Sequence, residues 1–497
     1  MSDIAFSKFI KLLSILLVTS TIAIESIALP ILPAIAQNQP NRDTEIDRLI
    51  RELRNEDYST RSNAVDALGK MGKVAIPKLI LLLKDNNANV RSSAAEALGK
   101  MGKVAASAIP QLMPLFKDKD FSVPSSAAAA LGEIGSAAIP NLMPLFADKD
   151  KNVRDRVAYA LGRMGAVAIP KLLPLLDNQN PNVRSSAARA IRIMGAPGKA
   201  AIPKLILLLD DNNANVRSNA VYALGSMGDS GRVAIPNLIA LLKNKDKDKD
   251  LRSSAASALG SIGAAALPNL IPFLKDRDKD LRLGALSAIG RMGESGKAAI
   301  PDLIPLIQDR DEDKDVRDGA AAALESMGKA AIPSMILLLK DKDAEVRSRV
   351  AGLLTYMSYR GVSTKAAIPD LMLLLKDKNL QVRSSAISAL GIIAMAGELG
   401  ASAVPNLIPL LKDEDKTVRS TAISVLGLMG ESAAPIVPDL ILLLKDKDVR
   451  WRAIEALGSI GESAKSAIPH LIPFLKDSDG MIQSRAATAL KKLGYKP

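Results

Sequence analysis

The chain has 497 residues, 48% of them hydrophobic but only 3% aromatic, so a large core is available and Leu, Ile, Ala and Val must fill it. With no cysteine there can be no disulfide, thiolate nucleophile or thiolate metal site. The net charge of +13 excludes nothing by itself and points to anionic partners.

Residues 1–36 read as a secretory signal peptide. Lys8 and Lys11 make a basic start, diluted by Asp3, and Leu12 to Ile24 is an apolar run of 13 residues. A membrane span needs ~20 such residues. Ala34-Ile35-Ala36 before Gln37 has the small-residue cleavage pattern. The alternative is an uncleaved anchor, which Glu25 and Pro30 oppose. The protein is therefore expected to be exported, periplasmic or extracellular, with no transmembrane segment after cleavage. Residues 37–43 form a polar leader, and 44–497 form the folded part. Thr44-Glu45-Ile46-Asp47 has the capping-box form and should open a first helix running to about Leu53.

The remainder repeats one stretch, Ala75 to Gly102. Ile76, Leu79, Ile80 and Leu83 form one apolar stripe, and Val90, Ala94, Ala97, Leu98 and Met101 form a second. Both have the spacing of an amphipathic helix. Pro77 suits a first helical turn, and Gly102 suits the left-handed position that ends the second helix. The marker proline recurs at Pro110, Pro140, Pro170 and on to Pro469, at spacings of 30 to 36 residues, which gives 14 two-helix units. The period, with no strand signal, predicts an all-α fold, an α-solenoid.

The pattern D-x-D-x-x-V-R-S-S-A-x-x-A-L-G-x-M/I-G followed by A-I-P-x-L-I-x-L-L-K resembles HEAT repeats. More narrowly, it is similar to the HEAT-like repeats of the phycobilin lyase type. The resemblance covers roughly Asp57 to Gly494. It implies second helices lining the concave side, scaffolding of other proteins and, in some members, handling of bilin chromophores.

One slot in the pattern is arginine: Arg61, Arg91, Arg154, Arg184, Arg217, Arg252, Arg282, Arg317, Arg347, Arg383, Arg419 and Arg450, with Pro124 and Gln483 departing. An acidic or amide residue lies four before it, as Asp150 before Arg154 and Asp343 before Arg347. The expected arrangement is a structural ladder in which this residue caps the second helix and also meets an arginine across the junction between units. Pro124 should weaken one rung. A second proline, four after the first, occurs at Pro114, Pro144, Pro174, Pro272, Pro305, Pro409 and Pro473 and should kink the first helix. The KDKD loops read as solvated, because regular Lys alternation and the lack of a glycine turn oppose calcium binding. Two units, around Leu353 to Ala367 and Ile392 to Ala403, are three residues longer, and such insertions are expected on loops.

Catalysis finds no support. His470 is the single histidine, so paired-histidine chemistry and a histidine-rich metal centre are out of reach. The di-iron hydroxylases built on HEAT repeats use paired His-Glu motifs, which this chain lacks. The VRSS serines recur in nearly every unit, whereas a catalytic residue is singular, and no phosphate-loop motif occurs. No enzyme activity, cofactor or metal is expected. Second helices offer mostly Ser, Ala or Asn outside the packing stripe. The exception is a run over three units: Arg156, Tyr159 and Arg163 on one helical face, with Arg189 and Tyr222 in the Tyr159 slot of the next two units. Tyr and Arg are the residues enriched at binding hot spots. A second candidate surface is Arg349, Tyr356 and Tyr359, and a third is Trp451 with Arg452. The reading is an exported scaffold for another protein, acidic or extended. Alternatives are a bilin lyase-like protein and an adaptor for an envelope polymer. Export opposes nucleic acid as the partner.

The mature N-terminus should be Gln37, which the intact mass of the exported protein measures. A species retaining residues 1–36 would mean an anchor instead.

Overall fold

The computed structural model describes residues 42–245 and 249–495. Residues 1–36, read above as a signal peptide, most of the stretch read as a polar leader, and residues 246–248 lie outside them. The chain forms two compact units, Met1–Ala223 and Leu224–Pro497. Every regular element among the described residues is helical, and each unit is a run of two-helix repeats of the α-solenoid class. The first helix spans 42–52, so Thr44 lies inside it rather than at its start.

In a representative repeat, Ile76–Leu82 is followed by Ala88–Lys100, and Asn87 caps the second helix by accepting from the Asn89 N–H at 2.9 Å. Both predicted stripes turn inward: Ile76, Leu79, Val90, Ala94, Ala97 and Leu98 are buried. The second helices pack side by side as one layer within each unit, and each first helix packs on the second helix of its own repeat. Among the described residues no single helix is long and apolar enough to cross a membrane.

The glycine after the second helix has a positive φ, as expected, and at Gly135 and Gly195 its ψ lies away from the left-handed helix. Gly135 lies at φ 83°, ψ −144° and Gly195 at φ 67°, ψ −138°. That region is open essentially to glycine alone. It turns the chain into a short 3₁₀ segment that leads to the next Ile-Pro.

The second proline acts by tightening the helix. At Pro114, Pro144, Pro174, Pro272, Pro409 and Pro473 the α-helix stops just before the proline and continues as a 3₁₀ turn, as in Ile109–Leu112 followed by Met113–Lys117. Pro305 instead sits within the unbroken helix Ile300–Gln308. The slot faces solvent in every case, and where proline is absent leucine can occupy it, as Leu81 (73% exposed) does. An exposed slot costs the core nothing, which is why proline is tolerated there.

The longer units depart from expectation. Their extra residues lengthen the second helix to 16 residues, Ala344–Tyr359 and Leu380–Met395, against 13 in Ala88–Lys100. Three residues are nearly one turn, so the apolar stripe keeps its register. Both helices then end in a Schellman motif. Gly361 N–H donates to Ser358 O and Val362 N–H to Met357 O, both at 2.9 Å.

The arginine slot joins successive repeats, with a division of labour that the pattern did not show. The residue four before the arginine caps the second helix in most repeats, and at Asp278, Asp313 and Asp343 it also takes a cation of the preceding repeat, Lys245, Lys279 and Arg310. For Arg91, Arg184, Arg347, Arg383 and Arg450 the carboxylate that meets the arginine is a different aspartate, six before the next arginine slot. Arg91 donates Nε and Nη2 to Asp118 at 2.7 and 2.8 Å, and Nη1 to its own loop carbonyl, Asp85 O, at 2.8 Å. Arg184 repeats this with Asp211 (2.7 and 2.9 Å), and Arg347 with Asp377 (2.7 and 3.0 Å). Arg383 reaches Asp413 at 3.2 Å and Arg419 reaches Asp446 at 3.3 Å. Arg252 and Arg450 make longer pairs with Asp280 (3.4 Å) and Asp477 (3.5 Å). Arg282 takes Glu312 at 3.0 Å, and Arg317 lies 3.8 Å from Glu345. Arg61, Arg154 and Arg217 donate to their own loop carbonyls, the Arg154 bonds being 2.7 and 3.0 Å. The junction position facing Arg154 is Asn178, and no carboxylate pairs with Arg154 among the described residues. Pro124 removes its rung, and Lys117 takes over Asp148 at 2.9 Å. Gln483 keeps only the loop bond, to Asp477 O. The first aspartate of the KDKD loop is thus not solvated: the side chain of Asp118 is 11% exposed, and the hydrogen bond from Arg91 holds its carboxyl below the usual range.

The glycine of A-L-G is the other half of the junction. A Cβ on Gly99 would lie 2.9 Å from Ala130 Cα, and one on Gly458 would lie 2.8 Å from Ala489 Cα. Three interior repeats put Arg192, Glu325 and Thr355 in this slot. At Glu325 the flanking second helices, Lys314–Ser326 and Ala344–Tyr359, pack far more sparsely than the pairs on either side. Burial there pushes the Glu325 carboxyl up, against the opposing charge of Arg360.

Gly99→Val should destabilise the protein by ~1–3 kcal/mol in urea unfolding through overpacking at backbone. Gly352→Ala is helical and has no atom within 4 Å of the new methyl, so it should stabilise by ~0.5–1 kcal/mol. Asp343 offers a pH test. Its hydrogen bond from Arg310 lowers its pKa from 3.8 to about 2, so its contribution is full above the unfolded value and is lost as pH falls through about 2. Asp343→Asn keeps the cap and removes the charge. It should cost ~1–3 kcal/mol near neutrality, and the gap to the parent protein should close between about pH 4 and pH 2.

Candidate interaction surface

Three consecutive second helices carry the run of Tyr and Arg, Lys151–Arg163, Pro181–Met194 and Ala214–Ser226, and the residues of the run all fall in the first unit, which ends at Ala223. Their inward faces are spent on packing: Val153, Val157 and Leu161 are buried, as are Val183, Ala187 and Ile191. What remains faces outward, and there this chain departs from its otherwise small, polar pattern.

Tyr159 is 36% exposed and Tyr222 40% exposed. Arg163 lies over the Tyr159 ring with Cζ 5.8 Å from the centroid, and its Nη1 donates to the Tyr159 hydroxyl at 3.2 Å. Arg163 also pairs with Glu133 of the preceding repeat. Arg156 is half-buried and makes no ion pair among the described residues. Arg189 is bound to Asp155 of the preceding repeat at 3.0 Å. It therefore ties two helices together, and its Nε is shielded from solvent without a hydrogen-bond partner among the described residues.

One residue that the pattern did not single out completes the group. Arg192 stands in the junction glycine slot, over the Tyr222 ring with Cζ 5.8 Å from the centroid. Burial, then the neighbouring charge of Arg189, pushes its pKa down. The signal was present in the sequence, since Ala190-Ile191-Arg192 replaces A-L-G. The result is two half-exposed aromatic rings, each held by a guanidinium, with Asp155 and Glu133 offsetting part of the charge. Stacked arginines of this kind keep donors free for a carboxylate or phosphate.

The second candidate group is looser. Arg349 is engaged with Glu345 at 3.0 Å and Asp318 at 3.6 Å. Tyr356 lies under Arg360, 5.9 Å from its centroid, and Tyr359 is exposed. No hydrogen bond or ring contact joins Arg349 to either tyrosine among the described residues. Nor do any three His, Cys, Asp or Glu side chains among those residues group as metal ligands would.

A family model described as HEAT repeats matches residues 46–123, 109–192, 169–260, 235–325, 267–351, 332–399 and 437–497. The chain belongs to the HEAT-repeat family. The match is to the repeat itself and adds nothing to the bilin-lyase resemblance. A search of functionally characterised proteins finds no match. Among solved structures, Kap121p bound to Nup53p aligns at 16% identity and a TM-score of 0.49, covering 91% of this chain and 53% of that one. Kap121p bound to Pho4p gives 16% identity, a TM-score of 0.48 and coverage of 91% and 53%. A Kap95p structure with RanGDP gives 14%, 0.45, and coverage of 90% and 67%. This chain spans about half the length of the Kap121p chain that it matches.

Proposed function

We propose that this HEAT-repeat protein is an exported scaffold that holds another protein, without catalysis of its own. Export rests on the signal-peptide pattern of residues 1–36. The observation that supports binding is the set of Arg163–Tyr159 and Arg192–Tyr222 stacks on consecutive second helices. In most other repeats the Tyr159 position holds a small side chain, as Ser257, Ser287, Ala322 and Ser388 do, which offers little for a partner to grip.

The surface suits an acidic, extended segment. Neighbouring helices pack ~10 Å apart, so two repeats separate Tyr159 from Tyr222 by ~20 Å. An extended chain of six or so residues spans that distance, at roughly 3.3 Å per residue. The tyrosines supply contact area at low entropic cost, and the arginines meet carboxylates.

Affinity capture from the envelope fraction of the native cell should return a protein partner. The variant Tyr159→Ala, Tyr222→Ala should keep its melting point and lose ~2 kcal/mol or more of affinity for that partner. Raising the salt should weaken the parent complex. Unchanged affinity in the double variant would move the site, with Arg349, Tyr356 and Tyr359 the next surface to change.

A further inference from the structure

The second unit contains a cleft that the tyrosine surface does not explain. It lies across three consecutive second helices, Lys416–Leu428, Arg450–Ile460 and Gly480–Lys492, and has a volume of about 420 Å³. Its floor is the junction itself. Gly427 faces Ala456, and Gly458 faces Ala489, with no side chain large enough to fill the trough.

Three cations gather at its walls: Arg452, Arg485 and Lys492. Only one carboxylate, Glu455, lines the cleft with them, which leaves a charge of +2. Arg485 takes Glu455 as its ion-pair partner. The guanidinium of Arg452 is left 3.6 Å from the same carboxylate, beyond hydrogen-bond reach, and makes no hydrogen bond among the described residues. Its Nε is shielded from solvent and unpartnered. Trp451 fixes both guanidiniums: Cζ of Arg452 lies 3.9 Å and that of Arg485 4.8 Å from the ring centroid. Ser459 and Ser484 line the cleft with hydroxyls that have no partner among the described residues.

Two like charges held together, one with every donor unused, form an arrangement that solvent or an anion must complete. Burial and the charge of Arg485 both push the pKa of Arg452 down, a cost that a bound anion relieves. We propose that this cleft binds a phosphoryl group, with Arg452 and Arg485 as the principal donors and Lys492, Ser459 and Ser484 around them. A phosphate monoester dianion matches the charge of +2, and planar guanidiniums suit its oxygens. The volume exceeds what a bare ion needs and leaves room for the group that carries the phosphate. The site is separate from the tyrosine surface and does not depend on the scaffold reading.

Calorimetry on the full chain tests it, with inorganic phosphate, O-phosphoserine and a phosphoserine-containing peptide as probes and citrate as the carboxylate control. Phosphate should bind saturably at one site, and affinity should fall between about pH 8 and pH 5 as the dianion protonates. Arg452→Gln should weaken binding by about tenfold or more with little change in melting point, because the Arg452 guanidinium makes no internal hydrogen bond. Arg452→Lys should recover part of the loss. A peptide tighter than O-phosphoserine would identify a phosphoprotein as the source, and the reverse would identify a small phosphorylated molecule. The Tyr159→Ala, Tyr222→Ala variant should bind phosphate as the parent does. No saturable binding up to about 10 mM phosphate, binding indifferent to Arg452→Gln, or citrate as tight as phosphate would each overturn the proposal.

Discussion

No repeat of this chain can bury its apolar stripe alone, so everything depends on how one second helix meets the next. That meeting has two parts, and each needs the other. The glycine of A-L-G lets backbone approach backbone, close enough at Gly99 that a Cβ would sit 2.9 Å from Ala130 Cα. The arginine then bolts the loop ends together. One guanidinium satisfies the carbonyls of the loop that precedes its own helix and grips the aspartate of the following loop. The approach brings Asp118 within reach of Arg91, and the bond fixes the angle at which the stripes meet.

The same geometry explains why departures from the repeat matter more than the repeat itself. Pro124 removes a guanidinium, and Lys117 supplies a charge to Asp148 from a neighbouring position. Thr355 is small enough for the glycine slot, and its hydroxyl bonds back to Ala351 O at 2.8 Å. Glu325 is not accommodated in this way, and its helices part. Arg192 in the equivalent position emerges at the surface and stacks on Tyr222. A residue too large for the junction either opens it or becomes surface chemistry.

Small junction residues also have a consequence at the last repeats. A row of glycine and alanine that lets helices approach leaves a trough above it. On most repeats the rim is bland. Around Gly427 and Gly458 the rim carries Arg452, Arg485 and Lys492 instead, and the trough becomes a charged cleft. The packing solution and the candidate binding site are made from the same residues.

By itself the sequence determined the repeat, its two helices, their inward stripes and the slots that recur. These are local properties: a 3.6-residue period, a proline that fits a first turn and a loop that can cap a helix all lie within about thirty residues. It also marked Tyr159, Tyr222 and Trp451 as unusual, because a repeat makes exceptions visible. Only the tertiary structure decided which aspartate does what. Asp118 and Asp120 stand two apart in one loop and look alike in the pattern, yet one takes Arg91 from the preceding repeat while the other bonds the Ser122 N–H in its own helix's first turn. The A-L-G glycine likewise has no local reason to be glycine, since the atoms it must avoid belong to a helix about thirty residues away. The tie of Arg189 has the same character: its partner, Asp155, lies one repeat earlier, and only stacking brings the two to 3.0 Å.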